Sequence, residues 1–197
     1  MKDIKNYINE STASNKKLSE FQSKYDVNGL SQLMNKELGN AKVTLDVNIG
    51  NYTTTLNTIN NYKYNPSSKN NYMLIGTIIE HAILSWLEDN KNVTPQFNQN
   101  LTTINDDEFY SLCDGILPGN QDVEIKAFKR TIEEEPNGYY INKGINLTSN
   151  QIKSIKKSVM ILVNYDIEDS QAIIKQIFVK HPNQIIIGST SILKILK

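Results

Sequence analysis

The stretch DGILPGNQDVEIKAFKR, Asp114 to Arg130, decides how this chain folds and where its chemistry would lie. Pro118-Gly119-Asn120 has the composition of a tight turn, and apolar residues alternate with polar ones after it, so the stretch reads as a β-hairpin. With residues 118–120 as the turn, Leu117 faces Gln121. Counting back in register sets Asp114 opposite Glu124, with Cβ atoms about 5 Å apart. On the second strand Val123, Ile125 and Ala127 share one face, and Glu124 and Lys126 share the other. Two carboxylates facing each other on bare strands repel. A divalent cation between them would turn that repulsion into binding, because hard oxygen donors suit Mg²⁺ or Mn²⁺. Lys126, one pleat further on, could hold a water or a phosphate oxygen beside the ion. Glu-x-Lys on a strand face and Asp-Gly beside a turn are also ordinary surface composition, so the hairpin alone leaves both readings open.

Working outward, the strongest helix is NNYMLIGTIIEHAILSWLEDNKN, residues 70–92. Leu74, Ile78, Ile79, Ala82, Ile83, Trp86 and Leu87 recur at three- and four-residue steps and give it one apolar face. Glu80 lies on a strip of the helix with Gly76 and Leu87, at the margin of that face. A carboxylate there needs a partner, because burying it alone is costly. The hairpin residues supply one set of partners, and Lys69 or Lys91 would supply a surface alternative. Gly76, one turn before Glu80, leaves room for a strand or a DNA backbone to come close. His81 adjoins Glu80 with no second histidine nearby, which suits a hydrogen-bonding role better than general-base catalysis. Cys113 should point from its strand into the core, which argues against a nucleophile. There is no Gly-rich phosphate loop, which disfavours an NTPase.

The remaining segments fill out a mixed α/β pattern. NGLSQLMNKELGN reads as a helix opening after Gly29 and stopping near Gly39-Asn40, preceded by one or two short helices with Ser11 or Ser14 as N-caps. AKVTLDVNIGNYTTTL alternates as a strand or hairpin. EEEPNG reads as a loop, and TSNQIKSIKKS as a helix capped by Thr148 or Ser149. VMILVNYDI and QAIIKQIFV form a strand-turn-strand, and NQIIIGSTSILKILK ends the chain as a short strand or helix. The expected division is an N-terminal, partly helical extension over residues 1–70 and an α/β core over residues 71–197.

Bulk properties narrow the function classes. A chain of 197 residues suits one domain with an added arm. Its 21 basic and 21 acidic residues leave no global field for nucleic acid, so a polyanion would have to bind a local patch. A single cysteine excludes an intrachain disulfide and zinc-cluster folds. No signal-peptide core and no stretch of membrane-spanning length stands in the sequence, so a soluble protein of a reducing cytoplasm is expected.

Gly-x-x-x-Glu-His (GTIIEH, residues 76–81), Asp-Gly (DGIL, 114–117) and Glu-Ile-Lys (124–126), in this order and on these elements, resemble the PD-(D/E)xK nuclease superfamily. The spacing is most similar to lambda-type (YqaJ-like) exonucleases and RecB-type nuclease domains, with type II restriction endonucleases second. The resemblance covers residues 70–180 and leaves the extension unexplained. It implies a restriction-endonuclease-like core, a central mixed β-sheet flanked by helices, that hydrolyses DNA phosphodiesters with Mg²⁺ or Mn²⁺. Glu80, Asp114 and Glu124 would ligate the metal, with the Ile125 carbonyl as a further ligand and Lys126 as the catalytic lysine. Gln151 would match the glutamine that such nucleases carry on the helix after the motif strand. Cys113 stands where the family's name has proline, and the absence of four cysteines sets aside the iron–sulfur members.

Phosphate contacts are expected from Lys129 and Arg130, which continue the motif strand, and from Lys153, Lys156 and Lys157 on one face of the following helix. Tyr139 and Tyr140, placed in the loop between, could stack on an unpaired base or cap the core. Glu133–Glu135 would repel DNA and should point away from it. The resemblance implies a recombination or repair exonuclease of a bacterium, or of a phage acting in its host's cytoplasm. A type II restriction endonuclease on the same scaffold is the alternative, and a non-catalytic structural or DNA-binding protein that keeps the fold is the third reading. DNA is the expected partner. A homo-oligomer and a recombination partner protein are both compatible with the superfamily.

Overall fold

A computed structural model describes residues 25–44, 70–95, 113–147, 151–152, 155–168 and 171–197. The expected caps Ser11, Ser14, Thr148 and Ser149 lie outside them, as does Lys153. Helix α1 spans Val27–Leu38 and α2 spans Asn70–Lys91. Strands β1 (Lys42–Thr44), β2 (Thr94–Pro95), β3 (Gly115–Leu117), β4 (Gln121–Phe128), β5 (Ile132–Glu135) and β6 (Gly138–Asn146) precede β7 (Val159–Glu168), β8 (Gln171–Lys180), β9 (Ile185–Ile187) and β10 (Ser191–Leu196). The fold is mixed α/β. A six-stranded sheet runs β1-β8-β7-β4-β3-β2, and a four-stranded sheet runs β5-β6-β10-β9. Only β4 and β7 pair in parallel; every other ladder in the two sheets is antiparallel.

The central sheet is buried on both faces, as the apolar run of β7 requires. Val159, Ile161, Val163 and Tyr165 turn to one side, where α1 and α2 pack through Val27, Leu30, Met34, Ile75, Ile79, Ile83 and Leu87. Met160 and Leu162 turn to the other, where the four-stranded sheet contributes Ile141, Ile145, Ile192 and Ile195. The expectation of helices around the central sheet therefore holds for one face among the described residues, and a second sheet covers the opposite one. That sheet comes from residues 132–146 and 185–196, part of which the sequence reading assigned to a loop. Glu133–Glu135 and Tyr139–Tyr140 are a hairpin, β5 paired with β6, because Pro136-Asn137 with Gly138 makes the turn. Tyr139 packs on Phe178 with ring centroids 5.0 Å apart, so it caps the second core, while Tyr140 is exposed on the outer face.

The short outer strands leave edges that side chains close. On β8 the ladder with β1 stops at Ile173. Beyond it Asn35 of α1 pairs with the backbone as another strand would, donating to the Ile177 carbonyl at 2.6 Å and accepting from its N–H at 2.9 Å. Residues 27–44 thus pack directly on the central sheet. Helix α1 opens at Val27, before Gly29 and not after it, because Asp26 caps it by accepting from the Gly29 N–H at 2.8 Å. A β-bulge at Lys175 lets Ile174 and Ile177, three apart, face the same helices. No described helix is long and apolar enough to cross a membrane.

Candidate active site

The hairpin register is as read: Leu117 faces Gln121, Ile116 faces Asp122 and Gly115 faces Val123. The ladder ends there, one pair short of Asp114 and Glu124. From Ile125 onward β4 keeps β7 on one side, and among the described residues no strand lies on the side where β3 stopped. Its backbone N–H groups on that open side must still be satisfied. Asp114 Oδ2 accepts from Ile125 N–H at 2.6 Å, and Glu80 Oε1 accepts from Ala127 N–H at 3.2 Å. Two of the predicted acids therefore complete the edge of the strand that carries the other two predicted residues.

Lys126 draws the set together. Its Nζ lies 2.8 Å from Glu124 Oε1 and 4.0 Å from Glu80 Oε1, and it donates to the Ile125 carbonyl at 2.9 Å. Glu124 is 4% exposed, which would be prohibitive for a carboxylate without this ammonium. Helix α2 supplies Glu80 because its apolar face docks on the sheet beside β4, bringing Gly76 to the Ala127 carbonyl: a Cβ built at Gly76 would lie 3.8 Å from it. Gly115 has the tighter role. A Cβ there would lie 2.8 Å from Val93 Cγ1 and 3.2 Å from Leu84 Cδ1, so only glycine lets Asp114 enter the hairpin under α2.

The electrostatics follow from this crowding. Burial raises the Glu80 carboxyl to about 7, the charges of Asp114 and Glu124 adding to the rise against the pull of Lys126 and the Ala127 amide. Burial works to lower the Lys126 pKa, but the three carboxylates outweigh it and hold the lysine well above its ordinary value. Lys126 is an ammonium at neutral pH. Burial lowers the His81 pKa, against the charge of Asp114, so its imidazole stays neutral. Burial pushes the Cys113 thiol up to about 11, which leaves it inert.

Three carboxylates and a carbonyl are the hard oxygen donors a divalent ion takes, and three negative charges around one positive charge leave an excess for it to neutralise. In chemistry the residues fit the ion. In spacing, no group of three or more His, Cys, Asp or Glu among the described residues is arranged to hold one. The ammonium of Lys126 stands among these donors.

The other predicted residues are dispersed. Gln151 is half-buried in the helical turn before β7. Lys156 and Lys157 are exposed beside the start of β4, where Gln121 donates to the Lys157 carbonyl at 3.2 Å. Lys129 and Arg130 follow the other end of β4, about 25 Å away along the strand. Lys129 pairs with Asp166 at 2.6 Å, and Arg130 donates to the Lys129 and Gly144 carbonyls. These lysines do not form a single patch.

No family model matches the sequence, and no curated protein matches it. Among solved structures the chain is similar to the NlaIV restriction endonuclease, at 16% identity and a TM-score of 0.44, over 88% of this chain and 68% of that one.

Proposed function

We propose that this chain is a metal-dependent nuclease of restriction-endonuclease-like fold that hydrolyses DNA phosphodiesters at the open edge of β4. The observation that carries the reading is the gathering of Glu80, Asp114 and Glu124, from three separate elements, around one buried ammonium. Purely structural ion pairs need one acid per base. Burial, with the charges of Asp114 and Glu124 added to it, raises Glu80 to about 7, a cost that a bound cation would relieve. Glu80, Asp114, Glu124 and the Ile125 carbonyl would hold the ion, with Mg²⁺ or Mn²⁺ suiting the donors. When bound, the ion polarises the phosphate and makes hydroxide accessible near neutral pH.

The chain's own residues account for the rest. Lys126, always protonated, donates hydrogen bonds and offsets developing charge on the phosphate instead of abstracting a proton. Asp114 and Glu80 are each anchored by a β4 amide, so their carboxylates keep their places when substrate arrives. Lys129, three residues from Lys126, is the nearest of the exposed basic residues along the chain and would take a flanking phosphate.

An exonuclease and a type II restriction endonuclease would use this site alike. Linear and closed-circular duplex DNA, incubated with Mg²⁺ or Mn²⁺ and wild type, Lys126→Ala or Glu124→Gln, separate them. Loss of linear DNA alone, abolished in both variants, supports an exonuclease. Discrete fragments from the circle support the restriction enzyme. No cleavage of either substrate by wild type would refute the nuclease reading and favour a binding or structural protein.

A further inference from the structure

We infer that in the metal-free chain the Lys126 ammonium occupies the position a divalent cation would take, so that lysine and ion compete for one set of oxygens. The inference rests on the metal-dependent reading above. Three of the four ligands expected for the ion stand within 4.0 Å of the ammonium instead. Glu124 Oε1 is 2.8 Å from Nζ, the Ile125 carbonyl 2.9 Å and Glu80 Oε1 4.0 Å, and Asp114 acts on it through its charge. The Lys126 side chain is 13% exposed, so it is enclosed by these groups and not lying over them.

The geometry has a physical cause. An ammonium holds oxygens at hydrogen-bond distance, about 2.8 Å, whereas Mg²⁺ needs them at about 2.0–2.1 Å. A site filled by lysine is accordingly wider than a metal site, which accounts for the absence of a ligand-spaced cluster among the described residues. For the ion to enter, Nζ must leave Glu124 and the Ile125 carbonyl. The four-carbon stem allows this by rotation without moving β4. The displaced ammonium then stands beside the ion, where a phosphate oxygen would arrive. Filling the site with metal and presenting Lys126 to substrate become one event. The lysine also keeps a buried acidic cluster folded while metal is scarce.

The test is Mn²⁺ binding by calorimetry to the full chain, with wild type, Lys126→Met and Lys175→Met, and with melting temperature recorded across the same Mn²⁺ series. A metal-competent state populated at a tenth or less in wild type makes Lys126→Met bind Mn²⁺ about tenfold or more tighter. Its melting temperature falls without metal and rises further with metal than that of wild type. Lys175→Met, which removes an exposed charge already paired with Glu168, should match wild type. Lys126→Met binding Mn²⁺ no tighter than wild type would overturn the competition and leave the nuclease reading intact. Equal tightening in both variants would overturn it too, since general charge would then be the cause. No Mn²⁺ binding by any of the three would remove the metal-dependent reading and this inference with it. Lys126→Gln, which keeps a hydrogen-bond donor without the charge, replaces the methionine variant if that fails to fold.

Discussion

Two glycines stand in the sequence motifs, and the structure assigns them opposite sensitivities. A Cβ at Gly115 would lie 2.8 Å from Val93 Cγ1, 3.2 Å from Leu84 Cδ1 and 3.3 Å from Val123 Cγ1. Val93 is 3% exposed and β-branched, so it has little room to rotate away. Gly115→Ala should therefore cost about 1–3 kcal/mol as overpacking. For a chain of this size, that is about 2–4 °C of melting temperature per kcal/mol. The relief available is for the hairpin to shift off α2, which stretches the 2.6 Å bond between Asp114 Oδ2 and the Ile125 amide and moves Asp114 away from Glu80. Cleavage should fall with stability and stay low at temperatures where the variant is still folded. Gly76→Ala should behave in the opposite way. Its Cβ would make an ordinary contact, 3.8 Å from the Ala127 carbonyl, and helix propensity favours alanine by about 0.5–1 kcal/mol. Urea denaturation of both variants checks the pair. A Gly115→Ala protein as stable as wild type, or a Gly76→Ala protein less stable by 1 kcal/mol or more, would refute the packing of α2 on β3 and β4 described above.

Asn35→Leu should cost about 1–3 kcal/mol in urea denaturation, because it strips the Ile177 N–H of its partner on a half-buried edge and leaves the Ile177 carbonyl only the Ser31 hydroxyl at 3.2 Å; a loss under 0.5 kcal/mol would mean water replaces the amide there. Burial lowers the His181 pKa below its ordinary 6.5, so the unfolded chain binds more protons than the folded one in acid. Stability from this source is complete above pH 6.5 and declines as pH falls below it; His181→Gln should flatten that part of the pH–stability curve, and an unchanged slope would exclude the histidine as its source. Lys129→Ala should weaken duplex DNA binding, measured by anisotropy in Ca²⁺, and reduce the slope of log K against log salt by about 0.9. If the slope does not move, DNA does not pass the Lys129 end of β4.

The hairpin was legible because its turn fixes its register: with Pro118-Gly119-Asn120 in place, Leu117 could face only Gln121. Helix α2 was legible for a similar local reason, its apolar residues recurring at helical spacing from Leu74 to Leu87. The second sheet was not. Glu133–Glu135 look like a loop when counted by composition, and become a strand because β6 offers them a ladder and Lys194 and Lys197 take Glu135 and Glu134 as ion-pair partners. No signal within EEEPNG reports a lysine sixty residues away.

By itself, then, the sequence determined the local elements around the candidate site and the side chains that could serve it, since turn chemistry and periodicity act over a few neighbours. Tertiary structure alone decided how those side chains are used. β3 stops one residue pair early, and among the described residues no strand continues along β4; its Ile125 and Ala127 amides take Asp114 and Glu80 as partners. Burial places Lys126 among the acids as their counter-charge, and the length of β4 carries Lys129 and Lys157 to opposite ends. Each of these outcomes depends on which backbone groups are left without a strand beside them, and that is settled by packing between segments far apart in the chain.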